Sequence, residues 1–119
     1  MKGEPSWTRL CASDALAERG HGVRFESASG QPAFLIRADG QVYGYLNQCA
    51  HVPVELDWMP GEFFDAERVY LICATHGALY EPSSGLCVAG PCPGRRLQKV
   101  EVVESDDSVW LVAQPKTSA

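Results

Sequence analysis

From residue 23 onward the chain breaks into short runs of β-branched and aromatic residues separated by turn-forming residues. The runs are VRFE at 23–26, AFLIRADGQVYGYL at 33–46, VYLIC at 69–73, LQKVEVVE at 97–104 and SVWLVA at 108–113, each with the length and makeup of a strand or hairpin. Asp39-Gly40 divides the second run, and such a pair readily takes the positive φ angles of a tight turn, so a hairpin is expected there. Asp106-Asp107 separates the last two runs, where Val100 and Val102 on one side and Val109 and Leu111 on the other alternate with polar residues. That alternation predicts a second antiparallel pair. Upstream, Ser13 precedes DALAERG, a run of helix formers ending at Gly20, which predicts one short helix over 13–19 with Ser13 as its N-cap. The pattern describes an all-β chain of small stacked antiparallel sheets, organised as a single domain over 1–119 with a mobile tail at 114–119.

Two segments have no strand pattern, 47–68 and 74–96. Both are rich in Gly, Pro, Cys or His, and each begins at or just after a predicted strand. Loops of that length in a small domain are usually functional or disordered, and these two carry all the candidate metal ligands. Hydrophobic residues make up 45% of the 119 positions and charged residues 21%, a balance that supports one folded core. The first twenty residues contain no continuous apolar stretch of the secretory kind, and no window approaches a membrane span, so the expected location is the cytoplasm. Five cysteines in that reducing setting point to metal or catalysis before structural disulfides. The net charge of −5 argues against nucleic acid, because only Arg95, Arg96 and Lys99 form anything like a basic group. Acidity suits docking onto a basic protein surface instead.

Cys49-Ala50-His51 and Cys73-Ala74-Thr75-His76 each place a thiol and an imidazole in one loop, with 21 residues between His51 and Cys73. Soft thiolates favour iron-sulfur clusters, zinc or copper, and imidazole suits zinc, copper and iron alike. The order Cys, His, Cys, His differs from the grouped ligands of a zinc finger. It suits a 2Fe-2S centre with an asymmetric shell, in which cysteines serve one iron and histidines the other. Zinc held by the same four residues stays open as an alternative. His21 lies outside both pairs and reads as structural.

These pairs give the chain its resemblance to the Rieske-type iron-sulfur proteins, whose motif is CxH followed by CxxH. The likeness continues past His76 through Gly77, Tyr80, Gly85 and Gly90-Pro91, the last pair matching the proline loop that covers the cluster in that family. The resemblance implies an all-β Rieske domain with a cluster-binding subdomain formed by two loops. It also implies one 2Fe-2S cluster held by Cys49, His51, Cys73 and His76, with Gly77, Ala78, Tyr80, Gly90 and Pro91 around it. The spacer between the motifs is longer than the family's usual one, and the surplus falls in ELDWMPGEFFDAERV. Trp58, Met59, Phe63 and Phe64 in that surplus are expected to pack, since aromatic side chains bury when they can.

In respiratory members of the family, a further cysteine in each ligand loop forms a disulfide between the loops. Here Val54 stands three positions after His51, where that cysteine would fall, and Ala74 directly follows Cys73, so the link is missing, which resembles the ferredoxins serving bacterial oxygenases. High-potential members carry Ser two residues and Tyr four residues after the second His ligand. This chain has Ala78 and Tyr80, so one hydroxyl is gone and a low or intermediate potential is expected. For Tyr80, a hydrogen bond to the centre and simple packing of the ring are equally good readings. Cys11 reads as a small buried hydrophobe, and Cys87 and Cys92 as reduced thiols on either side of the covering loop.

The resemblance implies a carrier that takes single electrons from a flavoprotein reductase to an oxygenase or similar acceptor. Only 28 residues follow Pro91, too few for a mononuclear-iron catalytic domain, and there is no nucleotide fingerprint or hydrolytic triad. The chain is therefore expected to be no enzyme by itself, and to bind neither membrane nor nucleic acid. The alternatives are an accessory subunit of a larger reductase, of the nitrite reductase type, and a zinc-stabilised interaction domain.

Overall fold

The structure, a computed structural model, describes residues 6–50, 54–57, 59–75, 77–91 and 93–113. His51, His76, Trp58 and Cys92, and the expected tail at 114–119, lie outside the described residues. Among the described residues, ten strands form three antiparallel sheets: β1 (Ser6–Ala12), β2 (Val23–Glu26), β3 (Pro32–Ala38), β4 (Gln41–Leu46), β5 (Leu71–Ile72), β6 (Leu79–Tyr80), β7 (Cys87–Ala89), β8 (Lys99–Val100), β9 (Val102–Ser105) and β10 (Ser108–Ala113). The sheet orders are β1-β10-β9, β2-β3-β4-β8 and β5-β6-β7. No helix among the described residues is long and apolar enough to cross a membrane.

Both predicted turns form. Asp39 and Gly40 take φ of 53° and 78°, and Asp106 and Asp107 take 54° and 61°. These left-handed pairs match the twist of the strands they join. In the first hairpin Arg37 pairs with Val42 and Ala38 with Gln41. In the second Ser108 pairs with Ser105 and Val109 with Glu104.

The β2-β3-β4-β8 sheet is central, and β3 is buried on both faces. Phe34, Ile36 and Ala38 point into a large core with Tyr45, Leu56, Phe63, Phe64, Leu71, Tyr80 and Leu97. Leu35, on the opposite face, packs with Leu16 and Val109 against the β1-β10-β9 sheet. The period-two alternation of a strand thus assigns neighbouring residues to two different cores.

Four elements differ from the sequence reading. The helix expected over 13–19 is a single 3-10 turn, Ser13–Ala15, capped by Ala12 with no side-chain bond, and the chain is already extended at Leu16. So short a segment does not sustain a helix alone, and tertiary partners claim its backbone. The Arg37 guanidinium donates to the carbonyls of Ser13 and Leu16, and the Arg19 N–H donates to the Arg37 carbonyl. That guanidinium also holds Glu104 at 2.7 Å. β1 is an unpredicted strand, paired with β10 through a bulge between Arg9 and Cys11. β6 and β7 lie within the segment read as irregular; strands of two and three residues carry too little pattern to be seen.

Candidate metal centre

The first ligand loop leaves β4 at Leu46 and is closed by side chains. Asn47, buried at the loop's start, donates through Nδ2 to Asp57 Oδ1 at 2.9 Å, and its Oδ1 accepts from the Leu56 N–H at 2.8 Å. Asp57 Oδ2 accepts from the Gly61 N–H at 3.0 Å, and the Arg24 guanidinium stands 3.7 Å away. Buried polar groups need partners, and this ring gives Asn47 and Asp57 theirs while joining the two ends of the loop. Inside it, the Cys49 N–H donates to the Val54 carbonyl at 2.8 Å.

Part of the surplus after this loop is structural, as expected. Phe63 is fully buried and stacks on Phe34 with centroids 3.9 Å apart, and Phe64 is buried beside it. Met59 departs from the expectation and is 54% exposed.

The second loop starts where β5 ends. The Gly77 N–H donates to the Cys73 carbonyl at 2.7 Å and the Cys73 N–H to the Ala78 carbonyl at 2.9 Å, so Cys73 is tied reciprocally to Gly77 and Ala78, with Gly77 at φ 74°. The Ala74 N–H donates to the Leu56 carbonyl at 3.0 Å, which ties the second loop to the first. Cys49 and Cys73 are buried in the same core.

Tyr80 stands between the loops. Its ring is fully buried, and its hydroxyl accepts from the Ala50 N–H at 3.0 Å while lying 3.2 Å from Cys49 Sγ. The Tyr80 hydroxyl and Cys49 Sγ are thus in hydrogen-bond contact, with either atom able to donate. The ring is packed in the core and the hydroxyl hydrogen-bonds the first loop.

The covering loop comes close to the second ligand turn. Gly90, at φ 100°, faces the Ala78 backbone so nearly that a Cβ there would lie 2.7 Å from Ala78 Cα. Only glycine permits that approach. Pro91 follows it, exposed, and the loop is pinned behind by the Cys87 N–H donating to the Arg95 carbonyl and the Gly94 N–H to the Cys87 carbonyl. Cys87 is buried, with Sγ 3.2 Å from the Ala89 carbonyl. Tyr45 anchors the β6-β7 connection from the central sheet: its fully buried hydroxyl donates to the Pro82 carbonyl at 2.6 Å. Burial pushes that hydroxyl far above its ordinary pKa and keeps it a donor.

Of the predicted ligands, Cys49 and Cys73 are buried in the same core; Gly77 and Ala78 bond the Cys73 backbone, Tyr80 approaches Cys49, and Gly90 lies against Ala78, with Pro91 next to it exposed. Cys11 lies on the other core, half-buried, with burial raising its thiol pKa. Asn47, Asp57 and Tyr45 escaped the sequence reading because they act across the fold and carry no local motif. Two buried thiols in one core, one of them 3.2 Å from a buried hydroxyl, fit a soft metal centre, iron-sulfur in particular, since a thiolate ligand accepts such a bond readily.

The Rieske 2Fe-2S domain profile matches residues 6–111. Among solved structures, the ferredoxin of carbazole 1,9a-dioxygenase from Nocardioides aromaticivorans IC177 is 26% identical, with a TM-score of 0.71 over 94% of this chain and 99% of that one. The Sphingomonas yanoikuyae B1 ferredoxin shares the fold at 22% identity and a TM-score of 0.72, covering 92% of this chain and all of that one (100%). The terminal oxygenase of carbazole 1,9a-dioxygenase from Nocardioides aromaticivorans IC177 contains a similar fold within 32% of its length, at 23% identity and a TM-score of 0.72 over 98% of this chain. No curated protein matches the sequence.

Proposed function

The chain belongs to the Rieske 2Fe-2S domain family, and on that premise we propose that it is a one-electron carrier supplying an oxygenase or similar terminal acceptor. Cys49, His51, Cys73 and His76 would hold its 2Fe-2S cluster, the thiolates and the imidazoles serving different irons. When bound, the 2Fe-2S cluster supplies a single-electron redox centre. The chain's own residues supply the setting. Asn47 and Asp57 fix the first loop and the Cys73 backbone bonds to Gly77 and Ala78 fix the second, which limits rearrangement of the protein as charge arrives or leaves. With Cys49 as a thiolate ligand, the Tyr80 hydroxyl 3.2 Å from its Sγ would donate to it and stabilise the more negative state, while Ala78 offers no second hydroxyl; a low or intermediate potential follows.

The observation that carries this reading is the buried Tyr80 hydroxyl on Cys49 Sγ, with Cys73 in the same core. Likeness over nearly the full length of a dioxygenase ferredoxin supports the oxygenase as acceptor. The same reading makes a flavoprotein reductase the donor, the cytoplasm the compartment and the chain a component of an oxidoreductase system with no catalysis of its own.

Anaerobic purification or reconstitution tests it. The expected product is red-brown, with two irons and two sulfides per chain and the Rieske electron paramagnetic resonance signal when reduced. C73A is expected to lose the cluster, and H76C to retain one of altered potential. Colourless protein containing stoichiometric zinc, or full iron retention by C73A, would refute the assignment.

A further inference from the structure

The chain is acidic overall, at −5, yet its charge is unevenly neutralised. Arg19, Arg24 and Arg37 each hold a carboxylate partner, namely Asp39, Glu55 and Glu104, at 2.7 to 2.9 Å. Arg9, Arg68, Arg95, Arg96 and Lys99 hold none among the described residues; Arg9 donates to the Ser108 hydroxyl and Arg68 to the Arg19 carbonyl, while Arg95, Arg96 and Lys99 are all exposed. They fall together on the segment that returns from the covering loop to β8. Arg95 Nη1 reaches the Ala50 carbonyl at 3.4 Å, on the residue between Cys49 and His51. Arg96 lines a hollow of about 140 Å³ whose other walls are Leu46, Gln48, Cys49, Ala50 and Gln98. The carboxylate on the neighbouring turn, Glu81, accepts from the Ser84 hydroxyl at 2.7 Å and pairs with neither arginine.

We propose that Arg95 and Arg96, with Lys99 behind them, form a basic docking edge beside the Cys49 loop, and that the redox protein seated there presents carboxylates. This rests on the carrier reading. A partner that approaches the cluster from this side meets local charge before net charge, because screening at physiological salt limits the field to roughly 8 Å. Unpaired guanidiniums at a rim accelerate encounter with an acidic surface and select against a basic one. The general acidity of the chain had suggested a basic partner; the placement of its unpaired cations reverses that sign at the site of transfer. Three cations with no stacking aromatic among the hollow's walls make a poor nucleic-acid surface.

Small oxidants of opposite charge read the sign directly. The reduced holoprotein gives one electron to ferricyanide, forming ferrocyanide, or to tris(phenanthroline)cobalt(III), forming the cobalt(II) complex. Stopped-flow rates are measured between about 10 and 200 mM ionic strength. The ferricyanide rate is expected to fall on the order of tenfold across that range and the cobalt rate to rise. The R95Q/R96Q variant, with its visible spectrum unchanged, is expected to lose the ferricyanide trend. The single variant R96E, which makes the same two-unit charge change while keeping the Arg95 contact to Ala50, is expected to lose it likewise. A short oligoglutamate peptide should inhibit the ferricyanide reaction of the wild type and not that of R95Q/R96Q.

A ferricyanide rate that rises with salt in the wild type would overturn the inference and leave the carrier reading standing. A protein that reduces neither oxidant would overturn both. Correct salt trends without oligoglutamate inhibition would reduce the edge to a site for small anions. Sedimentation showing a dimer that R95Q/R96Q abolishes would make the occupant a second copy of the chain. Either result would refute the acidic-partner proposal.

Discussion

Replacing Tyr80 by Phe removes a single oxygen from a fully buried ring, and two bonds depend on that oxygen. The Ala50 N–H donates to it at 3.0 Å, and it approaches Cys49 Sγ at 3.2 Å. Because the ring is sealed from solvent, water has no room to replace the hydroxyl. The orphaned Ala50 N–H should lower stability by about 1 to 3 kcal/mol. The sulfur contact acts on the potential. A hydrogen bond to a charged group is worth about 1.5 to 3 kcal/mol, and a one-electron couple shifts 59 mV per tenfold, or about 1.4 kcal/mol. The whole bond would therefore shift the potential by roughly 65 to 130 mV. The thiolate accepts the bond in both redox states, so the difference is smaller, and a fall of several tens of millivolts is expected for Y80F. Redox titration followed by electron paramagnetic resonance, paired with thermal unfolding of the same preparation, measures both effects. A potential equal to or above that of the wild type at full cluster content would refute the claim that this hydroxyl favours the reduced state.

Three further outcomes follow from the same geometry. A78S puts a hydroxyl at a fully buried position beside Cys73; the potential should rise, by at most on the order of 100 mV, and an unchanged potential at full cluster content would show that position 78 does not tune the centre. G90A adds a Cβ at φ 100° and 2.7 Å from Ala78 Cα, so it should destabilise the holoprotein by about 2 to 3 kcal/mol and speed cluster loss to a chelator, and normal values for both would show that the covering loop is not pressed on the turn. Arg37 holds the Glu104 carboxyl below its ordinary pKa of 4.5. A depressed pKa gives stabilisation that is complete above the ordinary value and vanishes as pH falls through the folded-state value. E104Q should therefore be less stable than the wild type by about 1 kcal/mol at neutral pH and equal to it in strong acid, as measured by urea unfolding across pH; a constant gap would refute the linkage.

What could be read from sequence was what lies close together in it. Asp39-Gly40 and Asp106-Asp107 announce their hairpins because a two-residue turn is a local preference, and Cys49 and Cys73 announce themselves because each has a histidine within three positions. β1 was missed because its partner is at the far end of the chain, where Trp7 meets Val112, and because the bulge breaks its alternation. The helix expected after Ser13 failed for the converse reason: its propensity was genuine, but the Arg37 guanidinium offered its carbonyls better partners than a short isolated helix could. Tyr80 stayed ambiguous since only the fold brings its hydroxyl to a cysteine 31 positions away. The Asn47–Asp57 ring left no trace, as neither residue is distinctive alone. The unpaired state of Arg95 and Arg96 was equally silent, because composition counts charges and does not say which are neutralised.

The sharing of β3 between two cores has a consequence for how the chain opens. Phe34 and Ile36 help floor the metal side while Leu35, the residue between them, floors the other, so neither half can peel away without stripping the strand the other rests on. The amide hydrogens of residues 34–36 should consequently exchange with solvent only through opening of the whole molecule, and a carrier built this way keeps its electron-bearing end and its outer sheet on one common clock.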